Sequence, residues 1–298
     1  AIAECSVTTL AGVTTRNPEI GGALAAQFGT RYFETPAEML ASPEVDIVYL
    51  STPIGLHSSQ GLDVLSAGKH LWCEKSLTSS AEATRLLASQ ASARGLGLCE
   101  AFMYLYHPQW RRLQHLVNYE VGTLHSISAR FTMPWPKEPG FRRSPELGGG
   151  ALLDVGCYPV SLALALAAGD PMVLTAAVRS DGGGVDVDGH ATLRFPSGTL
   201  AQLEWGFGRA YLNDLAISGE RASLSADRVF SKSGAQQPTI EMGDMHGNRR
   251  PENIEQRNAF VAMLEAFAAS LGDEPAMERL RAQAVRQAVT LERIGLMR

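Results

Sequence analysis

Gly68-Lys69-His70-Leu71-Trp72-Cys73-Glu74-Lys75-Ser76 is the stretch on which the fold turns. A glycine able to close a helix is followed by a short apolar run and then by an abrupt acid-lysine pair, the profile of a buried strand that ends at a polar edge. On either side of it, helices and strands alternate. Upstream, His57 to Ala67 reads as a helix closed by Gly68, and Asp46 to Thr52 as a buried strand ending at Ser51-Thr52-Pro53. Further back, Thr35-Pro36-Ala37-Glu38 is a capping box with proline at the first helical position, Asn17-Pro18 opens a helix that stops at Gly29, and Thr8 to Thr14 reads as a strand. Downstream, Ser79 and Glu82 form a capping box for a helix ending at Gly95, and Gly97 to Phe102 is the next strand. This order predicts an α/β fold, a Rossmann-like doubly wound parallel sheet serving as a dinucleotide-binding domain over residues 1–121.

From residue 122 the grammar changes to long alternating segments: Leu124 to Met133, Pro171 to Ser180, Val187 to Phe195 and Thr199 to Phe207. Pro196-Ser197-Gly198 is a hairpin turn between two of them, and the glycines between Asp181 and Asp188 read as a hairpin connection rather than a calcium loop. Residues 122–298 are therefore expected to form an α+β domain with an open, mainly antiparallel sheet. One helix is expected to run from Gly148-Gly149-Gly150 to about Ala168. Two more, roughly Glu252 to Leu271 and Pro275 to Met297, finish the chain.

Charge and composition narrow the function. The 298 residues are 45% hydrophobic with a formal net charge of -5, which suits globular domains and supplies no basic field for nucleic acid. The longest apolar run read from the sequence, Leu162 to Ala168, falls far short of the roughly 18 residues a membrane span needs. Neither nucleic acid nor membrane is expected as a partner. Cys5, Cys73, Cys99 and Cys157 lack zinc or CxxC spacing and read as reduced thiols in a cytoplasmic protein. The seven histidines form no HxxxH pair, so no metal is expected.

A dinucleotide-binding unit places a glycine fingerprint after its first strand, and the residue reading the adenosine ribose about 20 residues later. The strand ending at Thr14-Thr15-Arg16 suits the second position, yet no GxGxxG precedes it. The expectation is that the first strand and phosphate loop lie upstream of Ala1; the alternative is a related domain that never had the loop. Thr15 stands where an NAD-specific domain would place an acid, and Arg16 can pair with a 2'-phosphate or be merely solvated.

Ligands in open α/β sheets bind beyond the carboxyl ends of the strands, so Ser51, Thr52, Pro53, Leu56 and His57 are candidates for the cofactor wall. Glu74 and Lys75 close the next strand. A lysine there can polarise a substrate carbonyl, although a solvated ion pair would have the same spacing. Asp154 and Tyr158, four apart on the expected helix, share one face. Each also has a plain structural reading, the tyrosine as a core aromatic and the aspartate as a cap or buried ion pair.

Taken together, these motifs resemble the glucose-fructose oxidoreductase / inositol dehydrogenase / MocA family. Its signature AGKHVxCEKP is matched at Gly68 to Ser76, with Ser76 in place of the usual proline, and its DxGxH or DxGxY element at Asp154 to Tyr158. Glu100-Ala101-Phe102-Met103-Tyr104 with His107-Pro108-Gln109 is similar to the (E/N)xFMxxxHPQ segment of NADP-dependent dihydrodiol and xylose dehydrogenases and of nucleotide-sugar 3-ketoreductases. Phe131-Thr132-Met133-Pro134 and Phe141-Arg142 resemble the 3-ketoreductases most, and beyond Phe207 the match loosens to Ala210-Tyr211 and Ser218-Gly219.

The resemblance implies an enzyme that uses NADP(H), with NAD(H) as the alternative, on a sugar or nucleotide-sugar substrate. It makes Lys75, Tyr158 and Asp154 catalytic, turns Arg142 to the cofactor, and offers Met103, Tyr104, Tyr158 and Tyr211 to the substrate. Reduction of a 3-keto nucleotide sugar is the favoured activity. Oxidation of a free aldose (xylose or glucose) or of a trans-dihydrodiol is the alternative, and a non-catalytic sugar- or partner-binding homologue is the reading from another class. A homodimer or homotetramer through the C-terminal sheet is implied as well.

Overall fold

The computed structural model describes residues 1–232 and 236–297. The first part of the chain runs β1 (Gly12–Val13), α1 (Pro18–Phe28), β2 (Arg31–Tyr32), α2 (Pro36–Ala41), β3 (Ile47–Leu50), α3 (Ile54–Ser66), β4 (His70–Cys73), α4 (Ala81–Ala93) and β5 (Leu98–Glu100). β3, β4 and β5 pair in parallel in that order, and β1 pairs in parallel with β2. Local chemistry sets the boundaries. Asn17 caps α1 by accepting from the Glu19 and Ile20 amides, and Gly29 ends it in the left-handed region at φ 61°. Thr35 caps α2 in the same way.

The sequence places some boundaries differently. The first strand is only Gly12–Val13, and α3 starts at Ile54 directly after Pro53 rather than at His57. Ser80, not Ser79, caps α4 by accepting from the Ala83 amide, while Thr78 turns to the Thr84 hydroxyl.

The chain continues through α5 (Pro108–Tyr119), β6 (Leu124–Met133), α6 (Cys157–Leu166), β7 (Met172–Ser180), β8 (Asp186–Arg194), β9 (Leu200–Phe207), β10 (Leu212–Gly219), β11 (Ala222–Asp227), β12 (Thr239–Asp244) and β13 (Arg249–Pro251). These strands form one sheet in the order β13-β12-β11-β10-β6-β9-β8-β7. Every pairing in it is antiparallel except β6 with β9. One face is covered by α5 and α6 through a core that includes Trp110, Leu113, Leu162, Leu203, Trp205 and Leu215. The other face is open and carries the ion pairs Arg130–Asp214 and Arg209–Glu204.

The helix expected from Gly148 to about Ala168 begins at Ala151 as a π turn, Leu152–Gly156, that runs directly into α6, and two short 3₁₀ turns, Gly140–Arg143 and Pro145–Leu147, precede it. The stretch Pro145–Leu166 has the length and apolarity of a membrane span, which the shorter run read from the sequence underestimates; 78% of its most apolar window is buried, as in a core helix.

α7 (Ala259–Ser270) and α8 (Glu274–Gly295) close the chain. The helix expected from Glu252 starts at Ala259 because Asn258 caps it, while Glu252 is occupied by Arg112 and Arg250. Both helices return to the parallel sheet. Met263, Leu264 and Phe267 cover Trp72, Cys99 and Ala101, and Ala284 joins Leu71 and Leu98. The end of the chain thus shares a core with its beginning.

Candidate active site

The site lies where the carboxyl end of β4 meets the π turn. β4 delivers Glu74 and Lys75 into the crevice, and the Lys75-Ser76 peptide is cis. The Lys75 ammonium donates to Asp154 Oδ1 at 2.7 Å and to the Asp154 carbonyl at 2.6 Å. The second carboxylate oxygen, Asp154 Oδ2, accepts from Arg142 Nε at 2.6 Å. The π turn widens the backbone at Asp154, a distortion that recurs at functional sites, and Gly156 lets it press against the sheet: a Cβ there would lie 2.8 Å from the Trp205 ring.

Tyr158 follows in the first turn of α6. Its ring lies under the ammonium, 5.1 Å from Lys75 Nζ to the centroid, and is caged by Phe102, Tyr104, Phe131 and Phe230 at 5.3–6.1 Å. Its hydroxyl makes one weak contact, a 3.9 Å donation to Met103 Sδ. The ring is therefore fixed while the hydroxyl stays available.

Charges in this pocket support one another. Burial works against the Lys75 ammonium, but Asp154 more than offsets it and holds the group above the usual lysine range. Burial would likewise raise Asp154, yet Lys75 and Arg142 hold it below the usual carboxylate range. Burial raises the Tyr158 phenol, with Lys75 pulling the other way, so the hydroxyl keeps its proton at neutral pH. Glu100, at the end of β5, is pushed up to about 8 by burial, although the Leu77 amide and Lys75 both favour its charged form.

Of the other residues singled out by sequence, His57 is fully buried and ties two strand ends together, Nε2 to the Thr52 carbonyl at 2.7 Å and Nδ1 to the Ser76 carbonyl at 3.1 Å. Thr52 donates to Gln60, Glu74 accepts from the Tyr49 hydroxyl, and Ser51 is exposed. Pro53 leaves the start of α3 without a side-chain cap, and Leu56 lies half-buried in its first turn. Thr15 is half-buried and Arg16 exposed at the end of β1, with no acid paired to the guanidinium among the described residues. Tyr104 is 1% exposed and its hydroxyl is bonded to Ser161, so it stands behind Tyr158 as support and has no free surface for a ligand. Arg142, expected to face the cofactor, points its Nε at Asp154. Tyr211 is 39% exposed beside Phe131.

Sequence reading missed three parts of the site: Phe230 against Tyr158, Asn213, which accepts from the Phe230 amide, and the buried Glu100 near Lys75. Phe230 sits in a weakly patterned stretch, and only its contact with Tyr158 reveals it. Among the described residues no three His, Cys, Asp or Glu side chains could hold a metal.

The helix start beyond β3, which has no side-chain cap, the exposed Arg16 and the Lys75–Tyr158 pocket are groups that suit the ribose and nicotinamide parts of a dinucleotide. A parallel α/β sheet that brings a lysine and an intact phenol to one crevice defines a nicotinamide-dependent oxidoreductase. Residues 1–101 match the oxidoreductase family model with an NAD-binding Rossmann fold, and residues 110–225 match the GFO/IDH/MocA C-terminal domain. The chain belongs to the glucose-fructose oxidoreductase / inositol dehydrogenase / MocA family.

Among curated relatives, dTDP-3,4-didehydro-2,6-dideoxy-alpha-D-glucose 3-reductase of Streptomyces violaceoruber is 34% identical over 86% of this chain and 75% of that protein. A D-xylose 1-dehydrogenase (NADP(+)) of Haloferax volcanii is 30% identical over 90% of this chain and 84% of that protein. A 3-ketoreductase from Actinomadura kijaniata, solved with NADP and TDP-benzene, superposes with a TM-score of 0.93 at 29% identity, covering 99% of this chain and 91% of that one. Solved forms of that enzyme include variants with a tyrosine replaced by phenylalanine and a lysine replaced by alanine or glutamate.

Proposed function

We propose that the protein is an NADP(H)-dependent reductase of a 3-keto nucleotide sugar, with Tyr158 as proton donor. The observation that carries this reading is the Tyr158 hydroxyl: protonated, weakly held, and set beside a lysine whose charge is secured by a buried aspartate. A bound nicotinamide supplies the hydride. Tyr158 gives its proton to the substrate oxygen as negative charge develops there. The Lys75 ammonium, directly over the phenol ring, stabilises the tyrosinate this leaves and can donate its remaining N–H to the same oxygen. Asp154 orients Lys75 and is itself held by Arg142. Oxidation would run these steps in reverse.

The nucleotide-sugar reading draws on the reductases and the TDP-benzene complex among the relatives, and the cofactor reading on their NADP. Residues 1–121, apart from α5 and with α7 and α8 packed on their sheet, serve the dinucleotide, and the eight-stranded sheet with α5 and α6 serves the substrate and subunit contacts. The open sheet face supports a homodimer or homotetramer, and a cytoplasmic location suits the four free, buried thiols.

Absorbance at 340 nm tests the reading. NADPH oxidation with a dTDP-3-keto-2,6-dideoxy sugar should far exceed, in kcat/KM, NADP reduction with D-xylose or a trans-dihydrodiol. Turnover of the free aldose or the dihydrodiol alone would move the assignment to those dehydrogenases, and absence of any turnover to the non-catalytic homologue.

A further inference from the structure

Tyr158 begins a file of side chains leading away from the reacting centre. Its ring lies 5.3 Å from that of Phe131, Phe131 lies 6.3 Å from the exposed Tyr211, and Arg228 sits with its guanidinium carbon 4.4 Å over the Tyr211 ring. The file has the order of a glycosyl phosphate, with a reacting sugar at one end and anionic charge at the other.

Three details indicate that the outer end is built. Arg228 is the one non-glycine residue with positive φ among those described, at 52°, a conformation that costs an arginine and would cost a glycine little. The segment around it is anchored on both sides. Asn213, 1% exposed, accepts from the Phe230 amide and donates to both the Ser231 carbonyl and the Tyr211 hydroxyl. Gln109 donates to the Asp227 and Thr239 carbonyls, clamping the β11–β12 connection at its base. Lastly, the segment's two cations lack acidic partners. Arg228 makes no ion pair among the described residues, and Lys232 spends one donor on the Val229 carbonyl at 3.1 Å with no acid beside it. Burial without a counter-charge pulls Lys232 down to about 8, and burial, with the Lys232 charge added to it, presses His107 down to about 4. An anion beside Lys232 would supply the missing counter-charge.

We propose that Arg228, assisted by Lys232, binds the phosphates of a nucleoside diphosphate sugar and so selects nucleotide-linked over free sugars. This rests on the nucleotide-sugar reading. A planar guanidinium stacked on an aromatic ring keeps its N–H edge free for two phosphate oxygens, and a lysine supplies a second, rotatable charge.

Calorimetric titration with thymidine diphosphate, inorganic pyrophosphate and thymidine tests it on the intact chain. Wild type should bind the diphosphate with an affinity that falls as salt rises. Arg228→Leu should weaken it roughly 10- to 100-fold, the scale of a lost charge-assisted hydrogen bond. Thymidine affinity and the thermal midpoint should be unchanged, and Arg228→Lys should recover part of the loss. Lys232→Met should weaken pyrophosphate binding as well. Equal diphosphate affinity in wild type and Arg228→Leu would overturn the proposal while leaving the nucleotide-sugar reading intact. So would a thymidine loss as large as the diphosphate loss. No diphosphate binding by wild type, with turnover of free xylose, would overturn that reading and the proposal with it.

Discussion

Lys75 and Arg228 stand at opposite ends of the same aromatic file and are supported in opposite ways. Lys75 is 11% exposed and shares with Arg142 a carboxylate that is 6% exposed, so its charge and position are settled before any ligand arrives. Arg228 is half-buried on a tyrosine face and makes no ion pair among the described residues. A cation locked to an acid inside the protein can orient and polarise, since its field is present without reorganisation. A cation held only by stacking keeps its hydrogen-bonding edge for whatever anion comes. The inner region is built for chemistry and the outer for recognition.

The largest expected effect tests the inner region. Tyr158→Phe removes the hydroxyl and keeps the ring that Phe102, Phe131 and Phe230 cage, so the thermal midpoint should hold while kcat falls by about 10²- to 10⁴-fold. Lys75→Met should also lower kcat far more than it weakens NADPH binding. Because the two groups serve one oxygen, the double variant should be little worse than the poorer single one. Additive losses in steady-state kinetics would mean independent roles, and full activity without the hydroxyl would return Tyr158 to a packing role.

Asp154→Asn comes next, because it leaves Lys75 and Arg142 without their shared carboxylate. A loss of about 3–5 kcal/mol in urea unfolding is expected at neutral pH. The folded pKa of Asp154 is depressed, so its contribution is complete above the unfolded value of about 3.9 and is lost as pH falls through the folded one. The gap between variant and wild type should narrow in acid. A gap independent of pH would mean that the carboxylate charge is not what holds the centre.

Glu100 sharpens the contrast from within, as a carboxyl near Lys75 that does not pair with it. With its pKa raised to about 8, the folded state retains a proton that the unfolded chain releases near 4.3, so stability should decline as pH rises between those values. Glu100→Gln keeps an acceptor for the Leu77 amide and should flatten that decline. An unchanged slope in urea midpoints from pH 5 to 8 would locate the titration elsewhere.

The smallest effect concerns Arg16, an exposed cation with no acid paired to it among the described residues. Arg16→Ala should weaken NADPH binding about tenfold and NADH binding little, as measured by fluorescence titration. Equal losses would show that Arg16 does not read the 2'-phosphate.

The sequence was legible where one residue type has one physical use. Asn17 and Thr35 cap helices as their side chains require, Gly29 closes α1, and the period-two runs from Leu124 to Phe207 form strands. It was less legible where neighbours compete. Ser79 and Ser80 are equally good caps on paper, and packing of the Thr78 hydroxyl on Thr84 decides for Ser80. α5 escaped because its first residues belong to the His107-Pro108-Gln109 motif, although His107 caps it by accepting from the Gln109 amide. β10 to β13 escaped because small and polar residues such as Ala222, Ser223, Ser225 and Ala226 give little hydrophobic contrast. At the site, Lys75, Asp154 and Tyr158 stood out through their motifs. Phe230 and Asn213 did not, because only the folded chain brings β10 and the β11–β12 connection beside α6.

The return of α7 and α8 to the parallel sheet also orders events during synthesis. Trp72, Cys99 and Ala101 are translated long before Met263, Leu264 and Phe267, which cover them. Domains usually fold as they emerge from the ribosome, N-terminal first. Here one face of the early sheet stays bare until Met263, Leu264 and Phe267 leave the exit tunnel. A ribosome stalled ahead of Ala259 would therefore hold the parallel sheet with Trp72, Cys99 and Ala101 uncovered, an apolar surface open to aggregation.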